Sequence, residues 1–404
     1  MKLIKNCTVF IDEQPQKRDV ILHDNKIFKI SPKIKTQTNY EVIDANGLYL
    51  LPSVIDLNVR VLNDSLNSKN LDALYKSAQK GGVGHFVLMS DFFPRIEQES
   101  FFEFLHDKKN SSLILSIKAL KEDNSLNDIA TLINNGAKVI QEISSINENL
   151  IRRVMQYSYM KSVPFFCFCD NLDLHDKGAM NEGELSFELG LPGISKISEI
   201  SEVAKISVMA EYFKAKTLFQ SISTNKSIDI INRARHDFKD IFCEVSIHHL
   251  VLNELSCRDF NTYAKINPPL RDEQERLKLI QSLKDDKIDT LTSLHSPKSI
   301  LYKDTAFEDA KFGIDSIELF LPLCYTFLVK PGIIDMQKLI KLTSQNPAKI
   351  VGLQNVAKIK EGYDANLILF DPNHVETIDD KNSPYYGIEI YGRVVGSVQK
   401  IFHN

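Results

Sequence analysis

The run LLPSVIDLNVRVLND, from Leu50 to Asp64, is apolar and strand-like as far as Leu57 and then turns polar at Asn58 and Arg60. Residues two apart in a strand share a face, so Asn58 and Arg60 aim an amide and a guanidinium the same way from the end of a buried strand. Seven further segments have a similar strand character: GHFVLMS (84–90), SLILSIKAL (112–120), GAKVIQEIS (136–144), VPFFCFCD (163–170), KTLFQSIS (216–223), IFCEVSI (241–247) and KIDTLTSLH (287–295). With residues 50–57 they make eight, separated by amphipathic stretches such as KISEISEVAKISVMAEYFKAK (196–216) and RDEQERLKLIQSLKDD (271–286). Eight β-then-α units predict an α/β fold, a (β/α)8 TIM-like barrel with its site at the carboxyl ends of the strands.

Both ends of the chain have a different texture. KLIKNCTVFI and RDVILHDNKIFKI, with HDNK as a hairpin signal, open it, and DANLILFD and YGRVVGSVQKIFHN close it. The reading is a small β-sandwich domain built from residues 1–49 and 355–404, beside a barrel spanning 50–354. A length of 404 residues, 43% hydrophobic, is ample for both cores. A net charge of -4 carries no basic excess, which excludes nucleic acid as a natural partner. The 11-residue apolar run LFLPLCYTFLV (319–329) contains a proline. It falls well short of the roughly 20 residues of a membrane span. Acidic residues come too early at the amino terminus for a secretory signal, and six cysteines in so long a chain do not suggest a disulfide scaffold. The expectation is a cytoplasmic protein with reduced thiols and no membrane contact.

Several segments together resemble the class I dihydroorotases of the amidohydrolase superfamily: MNEGELSFELGLPGI (180–194), INPPLRDEQERLKLIQSLKDDKID (266–289), FEDAKFGIDSIELFLPL (307–323), TSQNPAKIVGL (343–353) and EGYDANLILFDP (361–372). Their order and spacing extend the resemblance over nearly the whole chain. It implies a metal-bearing barrel that cyclises N-carbamoyl-aspartate to dihydroorotate, or the reverse, in pyrimidine synthesis. That chemistry needs a metal-activated hydroxide, a Lewis acid on the carbonyl and a carboxylate to shuttle the proton.

The family's site residues are largely replaced. Its strand-one His-x-His pair falls on Asn58 and Arg60; Asn is a poor zinc ligand and Arg offers no lone pair. The bridging aspartate falls on Glu142, the strand-five histidine on Phe168, the strand-six histidine on Ser221 and the proton-shuttling aspartate on Leu294. Zinc takes three or four protein ligands, and of these positions only Glu142 remains able to coordinate. The substrate-gripping arginine falls on Leu62 and the asparagine of the Met-Pro-Asn segment on Asp91, which would repel a dicarboxylate, while Asn267 and His295 match substrate-contact positions. The resemblance therefore implies a vestigial site with no catalytic set, and zinc, expected for the family, is predicted absent here. Inactive members of this family are associated with aspartate transcarbamoylase, so a structural or regulatory partnership with that enzyme is expected, and a homo-oligomer is a further expectation. Two rival readings stand beside it. One is an altered cyclic amidohydrolase, using one metal on Glu142 with His248, His249 or His295, or metal-free chemistry on another cyclic amide. The other is a sensor that keeps Asn267 and His295 to bind a pyrimidine intermediate.

Other chemistry-bearing residues have plainer readings. Cys167 and Cys169 alternate with Phe168, so an inward Phe168 turns both thiols outward into the core. In strand geometry, only one of His248 and His249 could enter the barrel mouth, and both are read as hydrogen-bonded structural groups. His295 either hydrogen-bonds inside a leftover pocket or touches a ligand. Gly81, Gly82 and Gly84 follow a helix and precede a strand, the wrong order for a phosphate loop. Phe168 and Leu294 read equally as barrel filling. Carboxylates at the mouth without a metal need a cation, so Arg60 is expected to reach Glu142, Asp91 or both, with Asn58 as a further donor.

Overall fold

A computed structural model describes residues 1–11, 14–97 and 112–402. At its centre is an 8-stranded parallel sheet. In chain order its strands are Val54–Val59, Val83–Leu88, Leu113–Lys118, Val139–Ile143, Phe165–Phe168, Thr217–Gln220, Ile241–Ser246 and Thr290–Thr292. The last meets the first through a parallel bridge between Val59 and His295, with Arg60 N–H donating to the His295 carbonyl at 2.8 Å. Asp56 ties the same seam, accepting from the Thr292 hydroxyl at 2.6 Å and the Ser293 amide at 3.2 Å. The predicted (β/α)8 barrel is the observed one.

Helices cover the barrel because their apolar residues recur on one side. In Ser68–Lys80 the buried residues are Leu71, Leu74, Tyr75 and Ala78, and Asn67 caps the amino end by accepting from Asn70 N. Thr224 and Asp272 cap the helices Asn225–Asp237 and Glu273–Lys284 in the same way.

A 7-stranded sheet joins both chain ends, with Leu367–Phe370 antiparallel to Tyr49–Pro52. It is apolar on both faces. Leu51, Ile368 and Phe370 belong to the main core, while Leu50, Leu367 and Leu369 pack on Ile4, Val9 and Val20 in a smaller one. The hairpin at Asp24–Asn25 forms between the strands Gln14–His23 and Lys26–Ser31 as read. At the carboxyl end only Glu389–Ser397 is strand; Val398–Ile401 is a helical turn, and residues 403–404 lie outside the described residues.

Residues 50–57 are not one barrel strand. Tyr49–Pro52 belongs to the terminal sheet and the barrel begins at Val54. The switch falls at one peptide: Ser53 N–H donates to Asn366 O at 3.0 Å and Val54 N–H to Gly82 O at 2.9 Å. Both strands are buried on both faces, so the apolar run continues through the change of sheet and conceals it.

Gly81 and Gly82 form a helix-to-strand turn, and Gly84 lies within the strand Val83–Leu88. Gly82 adopts φ +74°, and a Cβ at Gly81 would stand 2.2 Å from the Ile317 carbonyl oxygen. Gly81→Ala is expected to cost about 1–3 kcal/mol, as overpacking against rigid backbone does. Urea unfolding monitored by circular dichroism measures this; an unchanged midpoint would contradict the close approach.

Candidate functional site

The barrel mouth holds a cavity of about 280 Å³, lined by Arg60, Asp64, Asp91, Lys118, Gln141, Phe168, Asn267, Leu294, Ser296 and Lys298 among others. The guanidinium of Arg60 donates to Asp91 Oδ2 through Nε (3.2 Å) and one terminal nitrogen (2.7 Å), and to Asn58 Oδ1 through the other (2.7 Å). Asp91 takes a third donor from Gln141 at 2.9 Å and faces Lys118 Nζ at 3.1 Å. Lys118 Nζ also reaches Glu142 at 2.9 Å, and Glu142 accepts the Leu120 and Ile143 amides. The result is a chain of alternating charge, Arg60–Asp91–Lys118–Glu142.

The electrostatics follow from that chain. Burial opposes the Asp91 charge, but Lys118 and Arg60 outweigh it and hold the carboxyl well below the carboxylate range. Burial likewise opposes the Lys118 charge, and Asp91 and Glu142 outweigh it and raise its pKa. The two shifts agree: both groups stay ionised.

Beneath this layer Asn58 donates to Ser221 Oγ at 2.9 Å and to Glu244 Oε1 at 2.8 Å. Glu244 also accepts the Ser221 amide and hydroxyl on Oε1, while its Oε2 has no hydrogen-bond partner among the described residues. Burial, helped by the nearby Asp56, pushes its pKa up to about 7. Ser221 and Leu294 both adopt left-handed backbone, φ 51° and 50°, just past the ends of the sixth and eighth strands. That conformation is uncommon for a leucine.

The structure therefore gathers Asn58, Arg60, Asp91, Glu142, Phe168, Ser221, Leu294 and Asn267 at the mouth. Arg60 reaches Asp91, one of the two carboxylates expected for it, and the cation of Glu142 is Lys118. Three details are corrected. Asn58 is the acceptor towards Arg60 and spends its donors on Ser221 and Glu244. Leu62 lies in the turn Leu62–Asp64, away from the cavity lining, which Asp64 joins instead. His295 turns from the cavity: its Nδ1 accepts the Ser316 and Ile317 amides at 3.2 and 3.3 Å. Burial lowers its pKa to about 3. A neutral ring with an accepting Nδ1 makes no ion pair with Asp315, although the oxygen stands 3.5 Å away.

His248 and His249 are structural. They lie in the short helix Ile247–Val251, so the strand argument for their directions does not apply, and both are buried. His248 Nε2 donates to Ser293 O while Nδ1 accepts from the Tyr385 hydroxyl; His249 Nε2 donates to Pro268 O while Nδ1 accepts from Ser246. Burial lowers the two to about 4 and about 3. Cys167 and Cys169 are buried free thiols packed in the main core.

Sequence reasoning missed Lys118 and Glu244. The signal was present: each is a lone charge in an otherwise apolar strand, SLILSIKAL and IFCEVSI. A charge there must find a partner.

Residues 275–398 match the amidohydrolase family pattern. The fold matches L-hydantoinase (dihydropyrimidinase) from Arthrobacter aurescens with a TM-score of 0.84 at 19% identity, covering 98% of this chain and 93% of that one. The fold is thus the one that this hydantoinase has. A dihydroorotase of Ruminiclostridium cellulolyticum is 32% identical over 392 residues, 93% of this chain and 91% of its own. A Helicobacter pylori chain described as a "Probable dihydroorotase-like protein" is 31% identical over 398 residues, 98% of this chain and 96% of its own. The chain belongs to the dihydroorotase-like family of the amidohydrolase superfamily.

Members of this superfamily bind metal, and the donors here do not fit one. The cations of Arg60 and Lys118 hold the two carboxylates at the mouth, and among the described residues no three His, Cys, Asp or Glu side chains stand together as a ligand group. Arg60, Phe168 and Leu294, which the resemblance puts at the family's site positions, have side chains that do not coordinate a metal.

Arg60→Met with Asp91→Asn should cost less than the sum of the single changes by ~0.5–3 kcal/mol, whereas Arg60→Met with Glu142→Gln should be close to additive. Double-mutant cycles by urea unfolding measure both, and strong coupling of Arg60 to Glu142 would contradict the geometry. Glu244 has a folded pKa of about 7, raised by burial above that of a free glutamate. It therefore takes up a proton on folding. Its contribution is fully present below about pH 4.5 and falls as pH rises to about 7, by roughly 3 kcal/mol at most. Glu244→Gln should flatten stability between those limits, leaving a residual slope from Asp56, which burial also raises. An unchanged pH profile would remove Glu244 from that role.

Proposed function

We propose that this chain is a non-catalytic dihydroorotase-like protein of pyrimidine biosynthesis, acting in the cytoplasm as a structural or regulatory partner of aspartate transcarbamoylase. The observation that carries the reading is Lys118 standing between Asp91 and Glu142, with Arg60 behind Asp91. Hydrolysis or closure of a cyclic amide needs a polarised carbonyl, an activated water and a proton carrier. The carboxylates that could serve are committed to ion pairs, and Leu294 stands where the family's shuttle would be. Partnership rests on family analogy, which is an associational warrant.

A second reading, a sensor of a pyrimidine intermediate, is favoured by the cavity that remains and by Asn267 on its wall. Calorimetry with dihydroorotate and carbamoyl-aspartate separates the two, since saturable heat supports sensing.

Protein purified with zinc and manganese supplied is expected to hold less than one metal per chain and to turn over neither dihydroorotate nor carbamoyl-aspartate. Turnover with stoichiometric zinc would sink the reading. Co-expression with aspartate transcarbamoylase from the same organism should give one co-eluting peak on gel filtration; two separate peaks across the physiological salt range would count against partnership.

A further inference from the structure

At the amino ends of the barrel strands, opposite the mouth, lies a second and larger concavity. It measures about 820 Å³, against about 280 Å³ at the mouth. Its lining includes Lys138, Lys161 and Lys216, and no aspartate or glutamate joins it among the described residues. Lys138 precedes the strand Val139–Ile143, Lys161 ends the helix Glu148–Lys161 and Lys216 precedes the strand Thr217–Gln220. A fourth lysine, Lys349, stands just outside. Lys216 Nζ donates to its carbonyl at 3.0 Å, and the ammonium groups of both lie over the ring of Phe242. The wall between the lysines is apolar, built by Leu113, Ile133, Val163 and Leu353.

The fold answers these cations only in part. Lys161 Nζ donates to Asn134 Oδ1 at 3.0 Å and sits at the carboxyl end of its helix, where a cation is favoured. Burial lowers the pKa of Lys216; Asp240 offsets part of that and Lys349 adds to it. Lys138 is exposed, and its ammonium has no hydrogen bond or ion pair among the described residues. At the mouth, by contrast, Asp64 and Asp91 accompany the cations of the lining. The groove has cations without carboxylates.

We infer that this groove binds a small molecule carrying a row of phosphates on an apolar body, of the nucleoside triphosphate type. Its volume lies within the roughly 300–1,000 Å³ of small-molecule sites, and such sites have mostly apolar walls with a few polar groups. The apolar wall gives the body of the ligand a surface that a bare anion would not use. The strands after Lys138 and Lys216 flank the strand Phe165–Phe168 on either side. Their backbones therefore stand roughly 10 Å apart, a spread that a row of phosphates matches better than a single one. Mg²⁺ is ordinarily held between carboxylates and substrate phosphates. With no carboxylate in the lining, the lysines themselves neutralise the phosphates. This site is separate from the mouth and stands whether or not the mouth is catalytic.

Calorimetry of the full chain with UTP, ATP and inorganic tripolyphosphate, at about 0.15 M ionic strength, tests this. The lining has no aromatic plane among the described residues to select a base, so both nucleotides should bind. Tripolyphosphate, which lacks the apolar body, should bind at least about tenfold more weakly. Excess Mg²⁺ should weaken nucleotide binding, because it removes charge that the lysines attract. Lys138→Glu should weaken UTP binding at least about tenfold. Lys278→Glu, at an exposed position on the helix Glu273–Lys284, should leave it unchanged. Should Lys138→Glu fail to fold by circular dichroism, Lys161→Glu decides in its place. No binding, tripolyphosphate as tight as UTP, tighter binding with Mg²⁺, or affinity indifferent to the lysine variant overturns the proposal. So does hexaglutamate displacing UTP at equal concentration, since an acidic peptide would then own the groove.

Discussion

Carboxylates gathered at the end of a barrel cannot be buried uncompensated, and the compensation here comes from the chain's own cations. Arg60 and Lys118 alternate with Asp91 and Glu142 across strand ends, each carboxylate also accepting neutral donors. Stripping either carboxylate of its cation would leave a charge that the surroundings solvate poorly. The arrangement links the ends of the first four strands into one network. Lys298 paired with Asp64 at 2.6 Å adds a further ion pair, so the lining holds three cations, Arg60, Lys118 and Lys298, beside two carboxylates, Asp64 and Asp91.

The layer below obeys the same constraint by another means. Glu244 has no cation; it accepts three hydrogen bonds on one oxygen, and burial shifts it towards the neutral form. Asp56, similarly buried, is spent on the seam between the first and last strands. These groups connect the opening strand to strands six, seven and eight, so the polar interior acts as a structural tie. The three candidate histidines, His248, His249 and His295, add to it. His248 and His249 use both ring nitrogens and His295 uses Nδ1, which weighs against an altered metal centre built on them and Glu142.

Left-handed backbone at Ser221 and Leu294 is notable beside that network. The amide of Ser221 feeds Glu244, and the amide of Leu294 is held by the Thr292 hydroxyl at 3.1 Å. The surrounding bonds keep a conformation that the side chain of Leu294 does not favour, while that side chain fills the mouth beside Phe168. The strand ends here carry residues suited to packing and ion pairing.

The barrel was legible from eight apolar segments at β-then-α spacing, because hydrophobic periodicity survives whatever the strands pair with. The clustering was legible too, since motif order places Asn58, Arg60, Glu142 and Leu294 together without coordinates, and the structure gathers them at the mouth. The change of sheet at Ser53 was not, because both strands are buried on both faces and nothing in the apolar run marks the break. Nor was the pairing at the mouth. Which cation meets which carboxylate depends on the stagger of neighbouring strands, and that stagger sets Lys118 between Asp91 and Glu142 and leaves Arg60 to Asp91 alone. Residue types along the chain determined that charges would have to balance there; only the register of the closed barrel decided how.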